Sequence, residues 1–197
     1  MEQRQFKQKL LDELYETYTS DAICHLGFKR TNIVYGDGNA NADLMFVGEA
    51  PGEEEDKQGK PFVGRSGQLL NKALNHVKIN RENVYITNVV KCRPPNNRAP
   101  LPHEMEICKT LFLDKQIKII QPKIIVTLGA TASNALLGEA IKITKIHGIR
   151  IDKDNLVIIP IYHPAYVLRN QTLLNSWVQD FEKIKIELES LKSANKN

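Results

Sequence analysis

Four short runs of aliphatic and β-branched residues punctuate this chain, separated by stretches whose apolar residues fall at helical spacing. Leu44-Met45-Phe46-Val47 reads as a buried strand stopped by Gly48 and Pro51. Val84 to Val90, Ile124 to Leu128 and Leu156 to Ile161 read as three more. Between them, Ser66 is placed to start a helix with Leu69, Leu70, Ala73, Leu74 and Val77 on one face. Pro102 to Ile120 is helical with Cys108, Leu111 and Phe112 inward, and Gly129 opens a helix through Leu137. Phe6, Leu10, Leu14 and Tyr18 mark an N-terminal helix within residues 1–25. Trp177, Phe181, Ile184, Leu188 and Leu191 form the seam of a C-terminal helix within 171–197. Strands apolar on both faces cannot border water, so helices must cover both sides of the sheet. The predicted fold is a three-layer α/β/α sandwich around a central four-stranded parallel sheet. A chain of 197 residues makes one such domain, spanning 1–197.

No apolar run approaches the ~20 residues of a membrane helix. The start, Met1-Glu2-Gln3-Arg4-Gln5-Phe6, has no apolar signal core, so a cytoplasmic, monomeric protein without membrane contact is expected. The net charge of +4 is compatible with a polyanionic partner without demanding one. The three cysteines, Cys24, Cys92 and Cys108, are odd in number and widely spaced, which does not make a disulfide framework. They read either as packed thiols or as ligands of a metal or cluster.

In open α/β sheets, ligands bind beyond the carboxyl ends of the strands. The unusual residues gather there. Gly48-Glu49-Ala50-Pro51-Gly52 and the acidic run Glu53 to Asp56 follow the first strand, and Asn88 ends the second. Lys91-Cys92-Arg93-Pro94-Pro95-Asn96-Asn97-Arg98 comes next, and His163-Pro164-Ala165-Tyr166-Val167-Leu168-Arg169 follows the fourth strand. Singly, each has an ordinary reading: a turn, a helix cap, a solvated acidic face, surface arginines.

Together they resemble the family-four, iron–sulfur type of uracil-DNA glycosylase. Gly48 to Asp56 with Gly59 to Gly67 is similar to that family's first motif. Tyr85 to Pro95 is similar to the second, and His163-Pro164-Ala165-Tyr166 with Arg169-Asn170 to the third. The resemblance runs from about Asp21 to Asn170 with the motifs in family order. It implies an enzyme that flips uracil out of single- or double-stranded DNA and hydrolyses its N-glycosidic bond, leaving an abasic site. The alternative reading is a protein that binds uracil-containing DNA without turnover or by covalent capture; no basic, histidine-bearing insertion of the capturing type follows Val90.

The resemblance also implies roles. Phe62 would stack on the flipped base. Asn88 would read its edge, since one carboxamide can pair with both the N–H donor and the O4 acceptor of uracil. Glu49, Ala50 and Pro51 would line the pocket, and His163 would donate to O2 as charge builds on the leaving base. Sister families carry a water-positioning Asp where this chain has Ala50, and a thymine-excluding Tyr where it has Gly52. Glu49 is the first candidate for activating water, with Glu55 and Asn97 behind it. Arg65, Arg93, Arg98 and Arg169 would grip phosphates, with Tyr166, Val167 and Leu168 in the segment that enters the groove.

The family holds a [4Fe-4S] cluster on four cysteines, of which Cys24, Cys92 and Cys108 match three, the cluster region starting within residues 1–25. The first position falls at Asp21. Three readings stay open: Asp21 as an oxygen ligand, a three-iron or labile cluster with water or His25 at the open site, or loss of the cluster.

Overall fold

The structure, a computed structural model, describes residues 2–19 and 24–194. The first helix, α1 (Glu2–Thr19), is followed by a short helical turn at His25–Phe28 and by β1 (Asp37–Gly38) and β2 (Leu44–Gly48). Helices α2 (Glu53–Gln58) and α3 (Arg65–His76) lead to β3 (Tyr85–Asn88). Next come α4 (Pro102–Cys108), a π-helical turn (Lys109–Leu113) and α5 (Asp114–Ile120), then β4 (Ile124–Leu128) and α6 (Ala130–Leu137). The last elements are α7 (Ile143–Ile146), β5 (Ile151–Lys153), β6 (Leu156–Ile161), α8 (Pro164–Arg169) and α9 (Leu174–Ala194).

Among the described residues, six strands form one sheet in the order β1-β3-β2-β4-β6-β5. The four central strands are parallel, as expected, and β1 and β5 add antiparallel edges. The edges escaped the sequence reading for a physical reason. β1 is two polar or small residues, and β5 is a three-residue, half-exposed strand, so neither carries an apolar run. What makes the second edge is its turn: Asp154 and Asn155 both sit at positive φ, 49° and 63°, the geometry of a tight hairpin.

Successive residues of each central strand feed opposite layers. Leu44, Phe46, Ile124, Val126 and Ile159 pack under α3 and α9 with Trp177, Phe181 and Ile184. Met45, Val47, Tyr85 and Ile125 face the other layer with Leu11, Phe112, Leu113, Ile120 and Ala132. The polar edge of Trp177 is satisfied, its Nε1–H donating to the Tyr162 carbonyl at 2.9 Å.

α1 packs on a different stripe from the expected one. Phe6 is 63% exposed, while Lys7, Leu11 and Leu14 are buried. Lys7 takes the inward place because its ammonium donates to the Ile120 carbonyl at 2.8 Å, at the negative end of α5. The Tyr18 side chain and the segment 20–23, which includes Asp21, lie outside the described residues.

The chain leaves β2 through α2 and α3 to one neighbour, β3, and returns through α5 to the other, β4. That reversal opens a crevice above the ends of β2, β3 and β4. Truncating the central aromatic of the α9 layer, Trp177→Ala, should cost about 3–5 kcal/mol, read as a lowered midpoint in urea unfolding followed by far-ultraviolet circular dichroism.

Candidate active site

At the crevice floor the parallel register sets Gly48 beside Asn88. A Cβ at Gly48 would lie 2.3 Å from Asn88 Oδ1 and 2.6 Å from the Phe62 ring, so the carboxamide, the aromatic ring and the strand end converge where only glycine fits. Asn88 is 1% exposed, and its Oδ1 has no hydrogen-bond partner among the described residues. A buried acceptor left unpaired costs on the order of 1–3 kcal/mol. Its neighbours are well supported: Lys91, fully buried, donates to Thr87 Oγ1 (2.6 Å), the Asn88 carbonyl (2.7 Å) and Gln116 Oε1 (2.7 Å).

His163 closes the opposite wall, its ring 5.9 Å from that of Phe62. The Ala165 N–H donates to His163 Nδ1 at 3.1 Å. Nδ1 is therefore the acceptor, and the neutral ring carries its proton on Nε2. Burial, and behind it the charge of Arg169, lower the imidazole pKa from 6.5 to about 4.

The cavity between these groups measures about 480 Å³ and is lined by Glu49, Ala50, Pro51, Gly52, Glu55 and Phe62 on one side. Asn88, Asn97, Arg98, His163, Ala165 and Arg169 complete it with Ser66 and Pro94. The expected pocket residues are thus brought together. The two candidate carboxylates differ in what they do. Glu55 accepts backbone N–H groups from Gly52 (3.2 Å), Val63 (3.0 Å) and Gly64 (2.9 Å). Among the described residues no donor meets the Glu49 carboxylate. The acidic run divides: Glu53 and Glu54 are exposed beside Lys57, whereas Asp56, 4% exposed, accepts the N–H groups of Thr31 and Asn32.

The arginines separate. Arg98 and Arg169 line the cavity, Arg93 stands beside it bound to Asn97 Oδ1 at 2.8 Å, and Arg65 is exposed at the start of α3. Val167 is 1% exposed and belongs to the core, so it is not free to enter a groove. Leu168 is partly exposed, and Tyr166, from the same expected groove-entering segment, is 41% exposed on the same short helix. Tyr166 has the signal of an amphipathic aromatic in a helical turn, but that turn could not be oriented before the fold was known.

The cysteines come from three separate elements. Cys24 is half-buried, Cys92 and Cys108 are buried, and all three are free thiols. They lie close enough for Cys108 to feel the charge of both Cys92 and Cys24, and for Cys92 to feel that of Cys24. Burial raises Cys92 and pushes Cys108 up to about 11, although Arg30 donates to Cys92 Sγ at 3.3 Å. Beside them, His25, His103 and Glu104 bring ligand atoms within 4.8 Å of one another. Glu104 is already saturated: Arg98 Nη1 (2.9 Å) and Nη2 (2.6 Å), the Leu101 N–H (2.7 Å) and His25 Nε2 (2.6 Å) occupy its two oxygens. Arg98 foremost holds its pKa down to about 2. Glu104 with Arg98 and His25 is thus a polar hub reaching the pocket wall through Arg98, and among the described residues His103 meets it only through a ring contact with His25.

Comparison with known proteins decides the family. Residues 35–185 match the family described as the uracil DNA glycosylase superfamily. The chain belongs to that superfamily. It is 48% identical to the type-4 uracil-DNA glycosylase of Thermotoga maritima over 91% of this chain and 95% of that protein. It is 45% identical to the type-4 uracil-DNA glycosylase of Sulfurisphaera tokodaii, over 89% of this chain and 83% of the relative. With the type-4 uracil-DNA glycosylase of Archaeoglobus fulgidus the identity is 42%, over 88% and 91%.

The titration of His163 gives a direct test of its environment. The unfolded chain takes up this proton near 6.5 and the fold not until about 4. Between those values the unfolded state binds more protons, so His163 lowers stability as pH falls through the window and has no effect above it. Urea titrations should show this acid-side loss, and the His163→Gln variant should lack that component.

Proposed function

We propose that the chain is a uracil-DNA glycosylase that flips uracil from DNA and hydrolyses its N-glycosidic bond. The observation that carries the reading is the orphaned Asn88 Oδ1, buried at the floor of a cavity bounded by an aromatic ring and a neutral histidine. Uracil N3–H satisfies that acceptor and the amide Nδ2 serves O4; cytosine presents no N3–H and would leave Oδ1 unpaired. Phe62 stacks on the ring, and the backbone of Glu49, Ala50 and Pro51 shapes the wall.

Bond cleavage leaves the electron pair of the C1′–N1 bond on uracil. The Nε2–H of His163 donates to O2 as that charge develops, a contribution of about 3 kcal/mol. A neutral donor suits the task, because the proton is held in place over the whole range above about pH 4. Water then bonds to C1′, and its proton passes to the Glu49 carboxylate. Glu49 is favoured over Glu55 because its oxygens are unengaged among the described residues, whereas those of Glu55 hold backbone amides. Arg98, Arg169, Arg93 and Arg65 bind phosphates around the cavity mouth, and Tyr166 with Leu168 fills the gap left by the flipped base.

Cys24, Cys92 and Cys108 fit an iron–sulfur cluster. Thiols raised by burial are poor anions alone, and the Arg30 guanidinium aimed at Cys92 Sγ suits a liganded thiolate. The cluster would supply structural cross-linking: it ties the segment before the first helical turn to the β3–α4 connection and to α4 itself. The family's fourth ligand position corresponds to Asp21, which lies outside the described residues, so Asp21, water or His25 would complete the site.

Incubation with uracil-containing single- and double-stranded oligonucleotides, followed by alkali, should give strand scission at uracil. Asn88→Ala and His163→Ala should each reduce the single-turnover rate by at least about a hundredfold without changing the circular dichroism. A denaturation-resistant shifted band would favour covalent capture, and no cleavage of any deaminated base would reject the enzyme. Anaerobic preparations should contain about four irons per chain, with visible thiolate-to-iron absorbance; an iron-free, stable and active protein would reject the cluster.

A further inference from the structure

Phe62 holds a backbone conformation that an aromatic residue rarely adopts, with φ at 52°. Two opposite charges grip the chain on either side of it. Arg81, half-buried just before β3, donates from Nη2 to the Pro61 carbonyl at 2.7 Å and from Nη1 to the Phe62 carbonyl at 3.3 Å. Asn71 Oδ1, on α3, accepts from the same Nη1 at 2.8 Å and orients the guanidinium. Beyond Phe62 the polarity reverses, for the Glu55 carboxylate accepts the next two amides, those of Val63 and Gly64. The first turn of α3 closes on the same peptide: a Cβ at Gly67 would lie 1.8 Å from the Phe62 carbonyl oxygen. Arg81 itself does not line the cavity.

We propose that Arg81 is a positioning residue for base excision, which with Glu55 clamps the strained Phe62 backbone so that the ring is in place before the base arrives. The inference rests on the reading of Phe62 as the stacking residue. The clamp uses what each charge can do: a planar guanidinium spans two successive carbonyls, and one carboxylate spans two successive amides. A lysine reaches one carbonyl only, so Arg81→Lys is not conservative here. The acidic loop and the segment before β3, far apart in sequence, thereby act on one peptide group.

The test is a double-mutant cycle on the full-length protein with uracil-containing duplex. Arg81→Met and Phe62→Leu should each lower kcat/KM, Arg81→Met by between about tenfold and a hundredfold. Affinity for uracil-free duplex, set by the phosphate-binding arginines, should stay within about twofold. In the Phe62→Leu background, Arg81→Met should cost nothing further, because the ring it positions is gone. Additive losses would overturn the proposal, since Arg81 would then act through another group. Phe62→Leu without effect on excision would reject the stacking role itself, and an effect of Arg81→Met in that case would reject the clamp too. If Arg81→Met does not fold, Arg81→Lys keeps the charge and one carbonyl contact; it should show the same non-additivity with Phe62→Leu and a smaller loss alone, and full activity in it would overturn the clamp.

Discussion

The site depends on one close approach, the parallel pairing of β2 with β3 that sets Gly48 against Asn88. There is no room at Gly48 for a side chain, since the carboxamide oxygen and the Phe62 ring already occupy the space. The two groups proposed to read and stack the base are therefore registered against hydrogen-bonded strand ends. A pocket built this way is held by the sheet ladder, which is among the stiffest parts of an α/β protein. Loops supply the remaining walls, and each is tied back to this frame.

The ties are mostly buried or half-buried charges used as backbone ligands. Glu55 and Asp56 accept amide N–H groups, Lys91 and Arg81 donate to carbonyls, and Glu104 caps α4 while holding Arg98. Such groups cost desolvation, and removing one partner leaves the other unsatisfied. What they supply is geometry: a charge with several donors or acceptors can hold a non-repetitive loop that no ladder supports. The Glu104 hub also joins the cysteine-bearing side of the molecule to the pocket. His25 follows Cys24 directly and reaches Glu104, whose other partner, Arg98, lines the cavity.

Much of this was legible in the chain. The four parallel strands and their flanking helices follow from apolar runs whose spacing admits few alternatives. Asn88, Phe62 and His163 were marked by standing in motifs at strand ends, where a parallel sheet delivers its ligands. The departures have local causes. The edge strands lack an apolar signature, and the stripe of α1 is displaced by a lysine that caps a neighbouring helix. Val167 looked like a surface wedge because its sequence neighbours are surface residues, but the helical turn points it into the core.

The sequence by itself determined the fold class and the family, because periodicity and motif order are properties of the chain. Tertiary structure alone decided the assignment of roles among residues of the same type. Two nearby glutamates, Glu49 after β2 and Glu55 in α2, differ in which of them meets backbone amides. One histidine is neutral because it is buried and its Nδ1 accepts an N–H. One arginine out of many faces the carbonyls of a strained aromatic. Burial, hydrogen-bond saturation and backbone conformation arise from contacts between segments distant in sequence, and no local pattern records them.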